Sequence, residues 1–330
     1  MTAPFSVSIV IPAYNEELMI PKALKEISQV FGQLDCSFEL VVINDGSTDS
    51  TRDCLKKLSI DYTNLVVGDF SRNFGKEAAL LAGLELSTGD CIIFIDADLQ
   101  HPPEIIPRML DKWEEGFDIV NAKKSNRGEE HFFYKTSSKI FNFIISRSIG
   151  SDFEGASDFK LIDRQVADVI LSLPEKNRFF RGLTAWTGFE VCDIDFEVAE
   201  RLYGETKWSK LSLINYTLTN IFSFSSFPLK MVAYVGFLTA GLGFLLLLQT
   251  VYNYIFSNAV TGFTTVIAVQ VLLGGMILLS MGVISIYLGK VYEEQKSRPV
   301  YILRNNKPHG RDIKANPASQ KQRLTGEVVD

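Results

Sequence analysis

The sequence predicts an α/β fold, a mostly parallel sheet covered by helices on both faces, followed by a hairpin of two transmembrane helices. Two observations predict the sheet. Between Phe5 and Ala122 short β-branched runs alternate with amphipathic stretches, the rhythm of repeated βαβ units. The runs are also apolar at nearly every position, as strands buried on both faces must be. A third observation predicts the hairpin: Met231 through Gly289 contains no Asp, Glu, Lys or Arg.

The elements follow in order. SVSIVI is the first strand, with a helix over Leu18 to Leu34 after it, and FELVVIN is the second, with a helix over Thr51 to Leu58. NLVVGDF precedes a helix over Lys76 to Leu86, CIIFID precedes one over Glu104 to Trp113, and FDIVNA ends the series. The stretch from Glu129 to Gly150 is basic and aromatic, with Phe133, Ile140, Phe141 and Ile144 at helical spacing. That pattern suits a helix on a membrane surface and one packed on the sheet equally well. SKLSLINYTLTNIFSFSSFP carries Lys210 as its one charge and reads as an interfacial helix running to Pro228. The spans are placed near Val232 to Phe256 and Val266 to Leu288, each long enough for the roughly twenty residues of a bilayer crossing.

The expected organisation is a catalytic domain over 1–200, a juxtamembrane segment over 201–228, two transmembrane helices over 229–290 and a partly disordered tail over 291–330. Lys230 precedes the first span and Lys290, Lys296 and Arg298 follow the second, while the connecting SNAVTGFTT has no basic residue. The positive-inside rule then puts both termini and the first domain on the cytoplasmic side. MTAPFSVSIVIPAYNEE lacks a basic region ahead of its apolar run and is read as a first strand, not a signal peptide.

Composition excludes some functions. With 33 Lys and Arg against 39 Asp and Glu, a formal net charge of −6, the chain lacks the basic surplus of a nucleic-acid binder. Cys36, Cys54, Cys91 and Cys192 are scattered without CxxC spacing, which suits core thiols in a reducing compartment. His101, His131 and His309 are dispersed and no serine sits in a nucleophile elbow, so hydrolase readings lose support.

The chemistry concentrates in CIIFIDADLQHPPE, where a buried strand is expected to end in Asp96 and Asp98 with Gln100 and His101 behind. Extended residues two apart share a side, so the two carboxylates can converge on a hard cation such as magnesium or manganese. A lone DxD is a weak signal, but the carboxyl end of a central strand is where open α/β sheets bind ligands. PAYNEE and NDGSTDST also follow strands, which brings Pro12, Tyr14, Glu16 and Asp45 to the same crevice. Asp45 suits a nucleoside contact and, equally, a turn or helix cap. With neither a Walker loop nor GxGxxG, a diphosphate has to be held by metal and side-chain cations.

VSIVIPAYNEE, VVINDGSTDST, RNFGKEAALLAG and IDADLQHPPE together resemble family 2 of the glycosyltransferases, over about residues 5–210. The order of these motifs, then SDFKLIDR, RLYGETKWS and a two-span hairpin, is similar to the polyisoprenyl-phosphate glycosyltransferases, and the hairpin to the undecaprenyl-phosphate glucosyltransferases among them. The resemblance implies a GT-A fold and an inverting, metal-dependent transfer of a hexose, glucose from UDP-glucose first, to a polyisoprenyl phosphate at the cytoplasmic face of a bacterial membrane. It implies Mg2+ or Mn2+ among Asp96, Asp98 and Gln100. Pro12, Tyr14, Glu16, Asp45, Lys76, Asp96 and Ala97 are implied on the nucleotide-sugar side, with Arg201 and Lys207 closing on the diphosphate. Arg127, Lys135 and Ser138 are implied at the acceptor phosphate, and Asp98 and Asp158 as catalytic. Membrane lipid and a homo-oligomer are the further expected partners.

The departures from the family narrow the reading. RFFRGLTAW separates Arg181 from Trp186 and has no Gln, unlike the QxxRW motif of processive synthases, so single transfer is expected. Tyr134 and Lys135 stand where dolichyl-type enzymes often show arginine. The alternatives are transfer of mannose or aminoarabinose to the same lipid class, elongation of a glycan, and a silent membrane scaffold or lipid-carrier partner.

Overall fold

The computed structural model describes residues 5–124, 156–175, 179–196, 227–256, 262–296 and 298–304. They form two compact units, one built on a sheet and one on two long apolar helices.

In chain order the sheet unit contains β1 (Ser6–Ala13), α1 (Ile20–Phe31), β2 (Ser37–Asn44), α2 (Thr51–Asp61), β3 (Leu65–Asp69), α3 (Lys76–Leu86), β4 (Cys91–Phe94) and α4 (Ile106–Glu114). It continues with β5 (Ile119–Lys124), β6 (Ala156–Asp163), α5 (Arg164–Ser172), α6 (Phe180–Trp186) and β7 (Val191–Phe196). The strands lie in the order β3-β2-β1-β4-β6-β5-β7. All run one way except β6, which is antiparallel to both β4 and β5.

The apolar runs divide as strand alternation requires. Ile9 and Ile11 of β1, Leu40 and Val42 of β2 and Ile93 of β4 face Leu24 and Ile27 of α1 and Met109 of α4. Val10, Val41, Ile43, Ile92 and Phe94 face the other way, against Ala79 and Leu80 of α3 and Val166 and Ile170 of α5. Every one of these side chains is buried, which is why the strands read as unbroken apolar runs. All four cysteines are free, with Cys91 buried in β4.

One pairing goes beyond the local pattern and one expectation changes. β5 is not the next neighbour of β4, because β6 inserts between them; its pairing arises from residues far along the chain that no local pattern announces. Val300, Tyr301 and Leu303, expected near the start of a polar tail, pack against the sheet unit's core. Phe70 and Leu303 form an antiparallel bridge there.

The second unit holds α7 (Phe227–Phe256) and α8 (Phe263–Gln295). Leu229–Tyr252 and Val269–Gln295 are long and apolar enough to cross a membrane, and they are fully unburied within the protein. At 1.5 Å per residue, 24 residues span about 36 Å, more than the ~30 Å hydrocarbon core. The hydroxyls of Thr239, Thr250, Ser280 and Ser285 each donate to a carbonyl four residues back, which satisfies them without water. The second helix runs on to Gln295, past the expected limit at 290.

Candidate active site

The loops that leave the carboxyl ends of β1 and β2 are stitched to each other. Asn15, held at φ 55°, donates its amide to Ser47 Oγ at 2.9 Å and accepts from the Thr48 amide at 2.8 Å. The Glu16 amide donates to Thr51 Oγ1 at 2.9 Å. Pro12 and Tyr14 flank this seam, Tyr14 with its ring exposed. Asp45 is buried and its carboxylate accepts the amides of Phe74 and Gly75 at 2.6 and 2.9 Å. Burial raises its pKa, and the two amides offset part of that rise. Of its two readings, the structure displays the turn clamp. Gly46 has to be glycine: at φ +62° a Cβ would come within 2.3 Å of the Arg72 backbone.

The loop clamped by Asp45 ends at Lys76, the first residue of α3. Its ammonium lies 2.6 Å from Asp96 and 2.7 Å from Asp158. Register explains the meeting. β4 and β6 pair Phe94 with Lys160, and continuing the antiparallel ladder two residues brings Asp158 level with Asp96. Arg181, at the start of α6, grips Asp158 as a fork, Nε on Oδ1 and Nη2 on Oδ2, the second bond at 2.9 Å. Burial opposes ionisation of Asp158, but the charges of Lys76 and Arg181 and their hydrogen bonds outweigh it, holding the carboxyl well below its usual range. The same carboxylates outweigh burial at Lys76 and raise its pKa.

Two further titratable groups border this cluster. Glu77 accepts the Phe180 amide at 2.8 Å, and burial, then the charge of Asp158, raises its pKa to about 7. Lys160 is buried, donates to Thr184 Oγ1 at 2.8 Å, and burial lowers its pKa to about 8.

The DxD segment departs from its expected geometry. β4 ends at Phe94, and residues 97 and 98 form a turn, so strand alternation does not aim the two carboxylates. Leu99 sits instead at φ 56°, a costly left-handed conformation for a branched side chain. Its side chain is buried with Met19 and Ala23. Asp98 accepts the Gln100 amide at 3.1 Å, and Ala97 is buried. Among the described residues no three His, Cys, Asp or Glu side chains gather as a ready metal cage. Asp96, Asp98 and the Gln100 amide oxygen nevertheless fit Mg2+ or Mn2+ as an all-oxygen donor set, and Lys76 already marks Asp96 as a place for positive charge.

The structure thus brings together Lys76, Asp96 and Asp158 of the expected residues and keeps Pro12, Tyr14, Glu16 and Asp45 along the neighbouring seam. Arg127, Lys135, Ser138, Arg201 and Lys207 lie outside the described residues. Sequence reasoning missed Arg181, Glu77 and Lys160. Arg181 was weighed only against a processive motif; the available signal was a basic residue placed to pair with an acid that β6 had to bury. His101 has a structural setting too: its ring stacks on Phe159 at 5.2 Å, and Nδ1 is 3.9 Å from Asp96.

An open, mostly parallel sheet with one reversed inner strand, and paired carboxylates and cations beyond the carboxyl end of β4, is the GT-A arrangement expected from the sequence. The family model for glycosyl transferase family 2 matches residues 8–173, and the chain belongs to that family. It is 39% identical to the uncharacterized glycosyltransferase YkcC of Bacillus subtilis, over 93% of this chain and 95% of that one. It is 38% identical to a prophage bactoprenol glucosyl transferase homolog of Escherichia coli and 37% identical to the bactoprenol glucosyl transferase of Shigella phage SfX. Each of these two matches covers 91% of this chain and 99% of the relative.

Proposed function

We propose that this enzyme transfers a hexose, glucose from UDP-glucose as first choice, to a polyisoprenyl phosphate at the cytoplasmic face of the membrane, with inversion at the anomeric carbon. The observation that carries the reading is the Lys76, Asp96, Asp158 and Arg181 cluster at the sheet's carboxyl edge, in a chain that also holds two bilayer-length apolar helices. The names of the bactoprenol relatives support the lipid acceptor.

Asp96, Asp98 and Gln100 would hold the divalent cation, which when bound would neutralise charge developing on the departing nucleoside diphosphate. Lys76 adds a fixed positive charge beside it. Asp158, kept ionised by Lys76 and Arg181, is a poor proton acceptor and acts by holding those two cations in position. Little proton removal is needed, because a phosphate monoester has a second pKa of about 6 and is largely dianionic at neutral pH. A single in-line displacement by the lipid-phosphate oxygen on the sugar C1 then suffices, with no covalent enzyme intermediate.

The test is incubation of the purified full-length protein with labelled UDP- and GDP-sugars and undecaprenyl phosphate. Label from UDP-glucose should enter the lipid fraction. Transfer only from a GDP-sugar or another UDP-sugar sinks the glucose assignment, and no lipid product from any donor sinks the acceptor class.

A further inference from the structure

The segment after the second apolar helix does not leave the sheet unit. Ile302 accepts the Ser71 amide at 2.9 Å and Arg304 donates its amide to the Asp69 carbonyl at 2.8 Å, on either side of the Phe70–Leu303 bridge. Tyr301 stacks on Phe70 with ring centres 4.9 Å apart and planes 16° apart. Its hydroxyl donates to Glu85 near the end of α3. The Arg304 guanidinium donates to the carbonyl of Phe70 at 3.2 Å and reaches that of Ser71 at 3.4 Å. It also lies 3.9 Å from the Asp69 carboxylate, which Arg52 holds at 2.8 Å.

These contacts converge on the loop from Phe70 to Gly75. Phe70 is fully buried, and Phe74 meets it edge-on at 5.6 Å. The amides of Phe74 and Gly75 are the ones Asp45 accepts, and Lys76 follows directly. The segment 298–304 therefore fastens both ends of one unit: the exit of β3 through its backbone, and the far end of α3 through Glu85. Lys76 stands at the near end of that helix.

We infer that residues 298–304 form a strap that positions the Phe70–Lys76 loop for the nucleotide-sugar donor, with Tyr301 and Arg304 as positioning residues that never touch substrate. The inference rests on the donor crevice of the proposed function. It assigns a role in donor binding to residues that lie beyond both apolar helices in the chain. Removing everything after Pro228 then loosens the donor site as well as detaching the membrane anchor.

The experiment uses the full-length protein in lipid nanodiscs, with Tyr301→Ala combined with Arg304→Ala and, separately, Tyr301→Phe. Loss of the aromatic stack and the guanidinium contacts should raise the donor KM about tenfold, with kcat and the lipid-phosphate KM within about twofold of wild type. Hydrogen exchange at the Phe74 and Gly75 amides should quicken in the double variant. Tyr301→Phe keeps the stack and should recover most of the donor KM. An unchanged donor KM, an equal rise for both substrates, or unchanged exchange at those two amides overturns the strap. If the double variant does not fold, Arg304→Ala alone is read by the same criteria. A wild-type protein that uses no nucleotide sugar sinks the proposed function instead, while the exchange arm still reports on the loop.

Discussion

Glu77→Gln should stabilise the protein at pH 8 and leave it nearly unchanged at pH 4. The carboxyl of Glu77 is raised from 4.5 to about 7 in the folded protein, first by burial and then by the charge of Asp158. A raised carboxyl binds its proton more tightly folded than unfolded, so stability falls as pH rises from about 4.5 to about 7 and stays lower above that. At about 1.4 kcal/mol for each pH unit between 4.5 and about 7 the cost is about 3.5 kcal/mol, and screening at the part of Glu77 open to water brings it to about 2. Glutamine cannot ionise, yet its carbonyl oxygen can still accept the Phe180 amide. The expected gain at pH 8 is therefore about 2 kcal/mol, or roughly 4–8 °C in Tm for a domain of this size. Lys160 feels the charge of Glu77 as a smaller influence than burial. Its pKa is lowered to about 8, so its own effect is a rise in stability from about pH 8 towards 10.5, mostly above the window used. The assay is thermal unfolding of wild type and variant at both pH values. An equal shift at the two, or a loss at pH 8, refutes the claim that Glu77 carries an unfavourable buried charge.

Asp98→Asn should lower transfer by at least about 10²-fold with Tm within about 1 °C, because asparagine retains an oxygen for the Gln100 amide. Chelation should abolish wild-type transfer, and full turnover in a chelator removes the metal from the mechanism. For topology, a cysteine at Ser257 should be labelled by an impermeant reagent from the noncytoplasmic side and one at Ser319 should not. Equal labelling at both positions excludes a hairpin with cytoplasmic ends.

Local pattern determined much of this protein by itself. Strands buried on both faces have to be apolar throughout, so SVSIVI, FELVVIN and CIIFID declared a covered sheet. The absence of charge from Met231 to Gly289 is a property of composition alone, and it declared two helices of bilayer length. The motifs that follow the strands marked the carboxyl edge, and Lys76, Asp96 and Asp158 do meet there. Tertiary structure decided the rest. Asp158 reaches Asp96 only because β6 enters the sheet reversed between β4 and β5; strand order is set by contacts among distant segments, which residue spacing does not encode. The same packing puts Arg181 on Asp158, one of the expected catalytic residues, and holds its carboxyl well below the usual range. The DxD segment shows the limit of extrapolating a strand: β4 ends at Phe94 and residues 97 and 98 turn, so the alternation that was to aim Asp98 stops before reaching it. The strap is the clearest case, since VYILR is a short apolar run at the head of a polar tail, with nothing local to say what it packs against. Only the exposed edge of β3 and the ring of Phe70, more than 200 residues earlier, give it a place to dock.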